Sequence, residues 1–285
     1  MRIASCTNRI SHVNRTLNES HSSIFMRANQ LVEKRRAVAA QETRHPLNEI
    51  LYRLRDPALV ADTVMRIAAE NWHRISPSEF SSLYRRVRGH TMCSVARLRG
   101  LHRGAKWIVE KHLAGDVVEC GCARGGSAAL TALSLRQLGE RRNLWLFDTF
   151  EGLPAPTADD PDYEIADLYT GSCLGQLDEV RGFFRDQGVE DGVHFVKGLF
   201  QETIRQSPIE HIALLHIDGD WYESVKVCLE ELYDKVVPGG IIQFDDYGYW
   251  KGARRAVDEF FAKRDINVKL TRLDYSGRSM QKPSA

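Results

Sequence analysis

From Asp116 onward, short β-branched or apolar runs alternate with stretches whose apolar residues recur every three or four positions. The runs fall at 117–120, 144–147, 193–196, 212–217, 240–244 and 268–273, and the amphipathic stretches at 127–138, 177–187, 200–206, 223–236 and 251–263. That alternation is the pattern of βαβ units and predicts an α/β fold, an open doubly wound and mostly parallel sheet. Upstream the texture is helical only, with amphipathic pieces at 25–41, 46–55, 58–70, 77–87 and 95–113, the last expected to break near Gly100. The first 24 residues are polar, with Asn8, Asn14, Asn18, Ser20, Ser22 and Ser23 and no apolar period, and read as a mobile arm. The expected organisation is an arm (1–24), a helical region (25–115) serving as a lid or a dimer interface, and a sheet domain (116–285).

One segment fits neither period. Residues 151–177 hold Pro154, Pro156 and Pro161 and five acidic residues between Asp159 and Asp167. Loops this long usually form lids or binding loops. No run approaches the ~20 apolar residues of a membrane-spanning helix, and residues 1–25 carry Arg2, Arg9 and Arg15 without the apolar block of a secretory signal. The six cysteines lack metal-chelating spacing, so reduced thiols and a cytoplasmic location are expected. The formal charge of +1 conceals a division: residues 1–115 hold 20 Lys and Arg against 9 Asp and Glu, leaving the remainder acidic. Basic helices without interleaved aromatic residues do not make a nucleic-acid platform, and solvated arginines account for the excess.

Candidate chemistry sits at strand ends. The 117–120 run leads through Glu119-Cys120-Gly121-Cys122-Ala123-Arg124-Gly125-Gly126 into a helix, a turn whose glycines allow close backbone approach and whose helix start favours an anion. Its spacing is not the G-x-G-x-x-G of dinucleotide binders, and a purely structural turn is an alternative. Asp148 ends the second run where doubly wound folds place an acid on ribose hydroxyls, or it is a helix cap or a surface Asp. His216-Ile217-Asp218-Gly219-Asp220 closes the fourth run and Phe244-Asp245-Asp246-Tyr247 the fifth. Adjacent parallel strands would crowd Asp218, Asp245 and Asp246 together, an arrangement costly without a cation, or the three are separate solvated turn aspartates. Oxygen ligands point to magnesium, manganese or calcium.

These residues resemble the macrocin O-methyltransferase family, sugar O-methyltransferases of antibiotic biosynthesis. The resemblance runs from Thr91-Met92 through the glycine turn, Phe147-Asp-Thr-Phe-Glu-Gly-Leu-Pro154, Phe195-Val-Lys-Gly-Leu-Phe200, His216 to Ser224, Pro238-Gly-Gly240 and Asp245-Asp-Tyr247. It departs at the small Cys122-Ala123 pair and in the N-terminal arm. The resemblance implies a class I, Rossmann-like fold, S-adenosylmethionine as cofactor, Mg2+ or Mn2+, and a homo-oligomer. By resemblance, Glu119, Gly121 and Gly126 surround the methionine part of the cofactor and Asp148 holds its ribose. Thr149 and Phe150 line the same edge, Phe200 and Gln201 face the adenine, and Thr91 and Met92 close over the cofactor, Met92 having a packed core methionine as its alternative. Asp218, Asp245 and Asp246 match the metal ligands, with Asp218 also the base.

The expected function is therefore metal-dependent transfer of a methyl group to a hydroxyl of a sugar or glycoside. An alcohol is a poor nucleophile until it is deprotonated or bound to a cation. Strand alternation puts His216 on the same side as Asp218, either as a base or substrate contact or as a packed strand histidine. Two alternatives stand beside this reading: methylation of a catechol-like or other non-sugar diol, and a non-catalytic binding module on the same fold.

Overall fold

The computed structural model describes residues 78–284, all within one compact unit. The arm and the expected helices at 25–41, 46–55 and 58–70 lie outside the described residues. Helix α1 (Glu79–Val87) starts at Ser78, whose Oγ accepts from the Ser81 amide (3.1 Å), and α2 (Val95–Glu110) at Ser94, whose Oγ accepts from the Arg97 amide (3.2 Å). Seven strands follow: β1 (Asp116–Cys120), β2 (Leu144–Asp148), β3 (Val193–Lys197), β4 (Ile212–Ile217), β5 (Val236–Phe244), β6 (Thr271–Arg272) and β7 (Arg278–Gln281). Between them lie α3 (Gly126–Gln137), the short α4 (Tyr163–Ala166), α5 (Leu177–Asp186), α6 (Phe200–Thr203), α7 (Tyr222–Leu232) and α8 (Lys251–Lys263).

The sheet order is β3-β2-β1-β4-β5-β7-β6, parallel from β3 to β5, with β7 antiparallel to β5 and β6 antiparallel to β7. Strand alternation divides the core. Val118, Cys120 and Phe147 face α7 and α8, where Val225, Leu229, Val257 and Phe261 cover them, whereas Val117, Leu144 and Leu146 face α1, α2, α3 and α5. β4 is buried along its whole length, as a central parallel strand is, and its register shifts between Ile212 and Leu214.

Two expectations are corrected. Helix α2 runs unbroken through Gly100, because that glycine serves packing: a Cβ there would lie 2.5 Å from Gln243 Oε1 and 3.0 Å from Leu273 Cδ1. The strand expected at 268–273 shrinks to Thr271–Arg272, since it is an exposed edge that pairs, among the described residues, with β7 alone. β7 escaped notice because, of Arg278, Ser279, Met280 and Gln281, only Met280 is apolar and buried.

The long 151–177 loop is tied down. Asp160 is buried and accepts from the Tyr222 amide at the start of α7 (2.7 Å) and the Thr157 amide (2.9 Å), while Trp221 Nε1 donates to the Pro154 carbonyl (2.7 Å). The strand order reverses between β1 and β4, where open α/β sheets form their ligand crevice. Cys120, Asp148, Ile217 and Phe244 end their strands on that carboxyl edge.

Candidate active site

The glycine turn after β1 is shaped by close approach. Gly121 has φ +87°, and a Cβ on it would fall 1.8 Å from the Asp218 carbonyl oxygen. The turn and the start of the acidic cluster are thus in backbone contact. Gly126 donates to the His90 carbonyl (2.9 Å), and a Cβ on it would meet that oxygen at 2.6 Å and Thr91 Cβ at 2.8 Å. The segment carrying Thr91 and Met92 therefore lies across the start of α3, a helix that no side chain caps. Met92 is 64% exposed, which removes the packed-core alternative.

Asp148 stitches this turn to β2. Its Oδ2 accepts from the Cys122 and Ala123 amides (2.8 and 2.9 Å) and its Oδ1 from the Phe150 amide (2.7 Å). Thr149 Oγ1 donates to the Gly152 carbonyl (2.6 Å). Phe150 differs from expectation: its backbone φ is +52° and its ring is buried, tilted against Phe195, instead of lining an open edge. Gln201 is exposed and Phe200 half-buried, its ring edge 3.5 Å from where a Cβ on Gly219 would stand. Glu119 is buried behind the turn. Ser127 Oγ donates to its Oε1 (2.6 Å), and its Oε2 faces His216 Nδ1 at 3.2 Å, a Coulombic contact out of line for a hydrogen bond.

The expected carboxylates fall in two groups that share Asp218, and the structure adds other residues to each. Asp218, Asp220 and Asp246 bring ligand atoms within 4.8 Å of one another, as do Cys93, His216, Asp218 and Asp245. The Asp220 amide donates to Asp246 Oδ2 (3.1 Å), and Trp250 Nε1 donates to Asp220 Oδ1 (2.9 Å). Asp245 is the most fully partnered, by His216 Nε2 at 3.0 Å, by Arg97 and by the Cys93 thiol at 3.5 Å. Arg97 also reaches Asp274 (Nε to Oδ2, 3.1 Å), which accepts in turn from Ser94 Oγ (2.5 Å) and the Ser276 and Gly277 amides.

The charges respond. Burial would raise Asp245, but Arg97 and His216 hold it well below the usual carboxylate range. Burial and then the Asp245 charge raise Asp246 to about 6, and burial with Asp245 and Asp246 pushes Asp218 up. Asp220 also rises, from burial and then Asp246. Burial opposes charge on His216, yet Glu119 and the bond to Asp245 raise it to about 10, so it is an imidazolium wedged between two carboxylates. Its Nε2 bonds Asp245 Oδ1 and its Nδ1 faces the Glu119 carboxylate.

Sequence reasoning missed Cys93, Arg97, Asp220 and Asp274. Asp220 was visible in the Asp-Gly-Asp motif, where its φ of +55° now places its carboxylate beside Trp250. Arg97 carried one faint signal: it shares a helical stripe with Gly100, Gly104 and Ile108, the face turned to the sheet.

A mostly parallel sheet in this order, closed by an antiparallel β7 and carrying the glycine turn, Asp148 and the acidic cluster on its carboxyl edge, defines a class I methyltransferase. The model of the macrocin-O-methyltransferase (TylF) family matches residues 28–282, and the chain belongs to that family. It is 33% identical over 242 residues to demethyldecarbamoylnovobiocin O-methyltransferase of Streptomyces niveus, covering 78% of this chain and 92% of that one. It is 31% identical over 199 residues to mycinamicin III 3''-O-methyltransferase of Micromonospora griseorubida, covering 66% and 76%. Among solved structures, the O-methyltransferase NovP superposes with a TM-score of 0.65 at 35% identity, covering 68% of this chain and 83% of NovP. The chain is an S-adenosylmethionine-dependent O-methyltransferase with a small-molecule acceptor. None of the helices among the described residues is long and apolar enough to cross a membrane.

Proposed function

We propose that this chain methylates a hydroxyl of a sugar or glycoside in natural-product biosynthesis and needs a divalent cation to do so. The observation that carries the cation is the imbalance at the β4 and β5 ends. Asp218 joins two groups of ligand atoms, one with Asp245 and one with Asp220 and Asp246, and the Arg97 and His216 charges beside them are spent on Asp245. An all-oxygen set with unneutralised members fits Mg2+ or Mn2+. Asp218, Asp245 and Asp246 would hold it, and when bound it would lower the pKa of an acceptor hydroxyl.

The chain's own residues supply the rest. The glycine turn and the uncapped start of α3 suit the carboxylate of the methionine part. Asp148, half-buried with its amide-bonded oxygens at the turn, is placed for a ribose hydroxyl, while Thr91 and Met92 lie across the turn. Thr149, Phe200 and Gln201 flank the same edge. Because Gly121 touches the Asp218 backbone, the sulfonium methyl and the acceptor oxygen would meet within one short span, and positioning then supplies much of the acceleration. Asp218, its carboxyl raised by burial and like charge, accepts the acceptor's proton as the methyl passes from sulfur to oxygen, leaving S-adenosylhomocysteine. The names of two relatives, a rhamnosyl-tetracenomycin 4'-O-methyltransferase and the mycinamicin III enzyme, support a glycoside acceptor.

Transfer of labelled methyl to a panel of glycosides and diols, with magnesium and with chelator, tests this. Product should require the cation and fall at least ~100-fold in Asp218→Asn, the loss typical of a positioned base. Turnover unaffected by chelator would remove the cation, and product from diols alone would replace the glycoside.

A further inference from the structure

Cys93 brings sulfur to the group that holds Asp218, Asp245 and the His216 imidazole. Its Sγ lies 3.5 Å from Asp245 Oδ2 and 3.9 Å from Asp218 Oδ2. In a tetrahedral centre with a metal–sulfur bond of ~2.3 Å and a metal–oxygen bond of ~2.1 Å, sulfur and oxygen stand ~3.6 Å apart. We propose that Cys93 turns the divalent-cation site of this chain into a mixed oxygen–sulfur centre, which captures thiophilic cations such as Zn2+ or Cd2+ as inhibitors through a thiolate bond that magnesium does not make. The inference rests on the cation site formed by Asp218, Asp245 and Asp246.

The thiol is held in place. Thr91 Oγ1 accepts from the Cys93 amide (3.1 Å), and the next residue, Ser94, caps α2 and bonds Asp274. α2 is fixed against the sheet by Arg97 on Asp245 and by the Gly100 approach to Gln243 and Leu273. Asp245 Oδ2 also accepts from Arg97, and a carboxylate oxygen's two lone pairs can serve both. His216 is excluded as a ligand because Nδ1 faces Glu119 and Nε2 bonds Asp245.

The chemistry separates the cations. Magnesium demands near-octahedral oxygen ligands and keeps waters, so the thiol stays protonated and outside its shell. Zinc and cadmium favour thiolate. On binding, the S–H bond of Cys93 breaks, the sulfur–metal bond forms with the sulfur's electron pair, and the proton passes to buffer. With Asp218 and Asp245, the two carboxylates grouped with it, the thiolate makes three protein ligands, and a cation drawn to the sulfur is misplaced for the acceptor hydroxyl.

The full chain, freed of metal, would be titrated with Cd2+ while following thiolate-to-metal absorption in the ultraviolet, and with Mn2+ by electron paramagnetic resonance. Native protein should show the cadmium–thiolate band. Cys93→Ser should lose the band, keep Mn2+ binding within ~2-fold, and weaken Zn2+ inhibition of the magnesium-supported reaction at least ~10-fold, about 1.4 kcal/mol. A band that survives in Cys93→Ser, or native protein that binds Mn2+ and gives no band, overturns the proposal and leaves the three-aspartate site standing. Binding of neither cation removes both.

Discussion

At the scale of single residues, Gly121 and His216 carry the strongest consequences. Gly121 combines a left-handed φ with a Cβ position inside the Asp218 carbonyl, so Gly121→Ala must push β1 and β4 apart at their ends. A loss of at least ~3 kcal/mol in denaturant unfolding is expected, together with loss of cofactor binding. A variant with native stability would show that the β1–β4 contact relaxes freely. His216 makes a pH prediction. Its folded-state pKa of about 10 lies above the ordinary 6.5, so the stability it contributes is complete below pH 6.5 and is lost as pH rises through about 10. In chelator-treated protein the urea midpoint should fall across that window, and His216→Gln should flatten the fall. Equal slopes in the two proteins would mean that the imidazole is neutral throughout. Asp218, Asp245 and Asp246 were legible because Asp218 and Asp245 each follow an apolar run directly and Asp246 adjoins Asp245. Cys93 and Arg97 were not, because the 125 and 148 residues separating them from Asp218 and Asp245 leave no local pattern.

At the scale of elements, two helix glycines with the same intrinsic cost should respond in opposite directions. Alanine replaces glycine in a helix interior with a gain of ~1 kcal/mol. Gly182 lies inside α5 with nothing nearer its added Cβ than Arg185 Nη2 at 3.8 Å, so Gly182→Ala should raise stability by about that amount. Gly100→Ala meets Gln243 and Leu273, and overpacking of ~1–3 kcal/mol should outweigh the propensity gain. Thermal melting of the two variants checks the pair, and a stabilised Gly100→Ala would show that α2 can shift off the sheet. The same glycine marks where sequence periodicity stopped being informative. It reports backbone freedom and close approach identically, and only the facing residues decide between a helix break and a contact. β1 to β4 and α8 were readable to within a residue because a buried parallel strand and an amphipathic helix each impose a period. β5 began four residues earlier than expected because its Pro238 and Gly239 read as breakers, and β7 is ordered chiefly by pairing with β5.

At the scale of the whole molecule, the acidic cluster is a stability cost that a cation should reverse. It joins the ends of β4 and β5 to α2 and, through Asp274, to the turn before β7, so repulsion there loads four elements at once. Asp218, like Asp220, has its charge strongly opposed by burial and by its neighbours. Its folded-state pKa is raised, so ionising it near neutral pH costs stability that its protonated or neutral form does not. Asp218→Asn should therefore melt higher than native protein when both are metal-free, although it loses activity. Adding Mg2+ or Mn2+ at about 100 times the dissociation constant should stabilise native protein by ~2.7 kcal/mol, a shift that the variant loses in large part. Differential scanning calorimetry of both proteins, with chelator and with each cation, reads the two effects separately. If the metal-free variant melts lower than native, Asp218 is a partner that the fold needs and not a strained charge; if native protein gains nothing from either cation, Arg97 and His216 already balance the cluster and the divalent site is wrong.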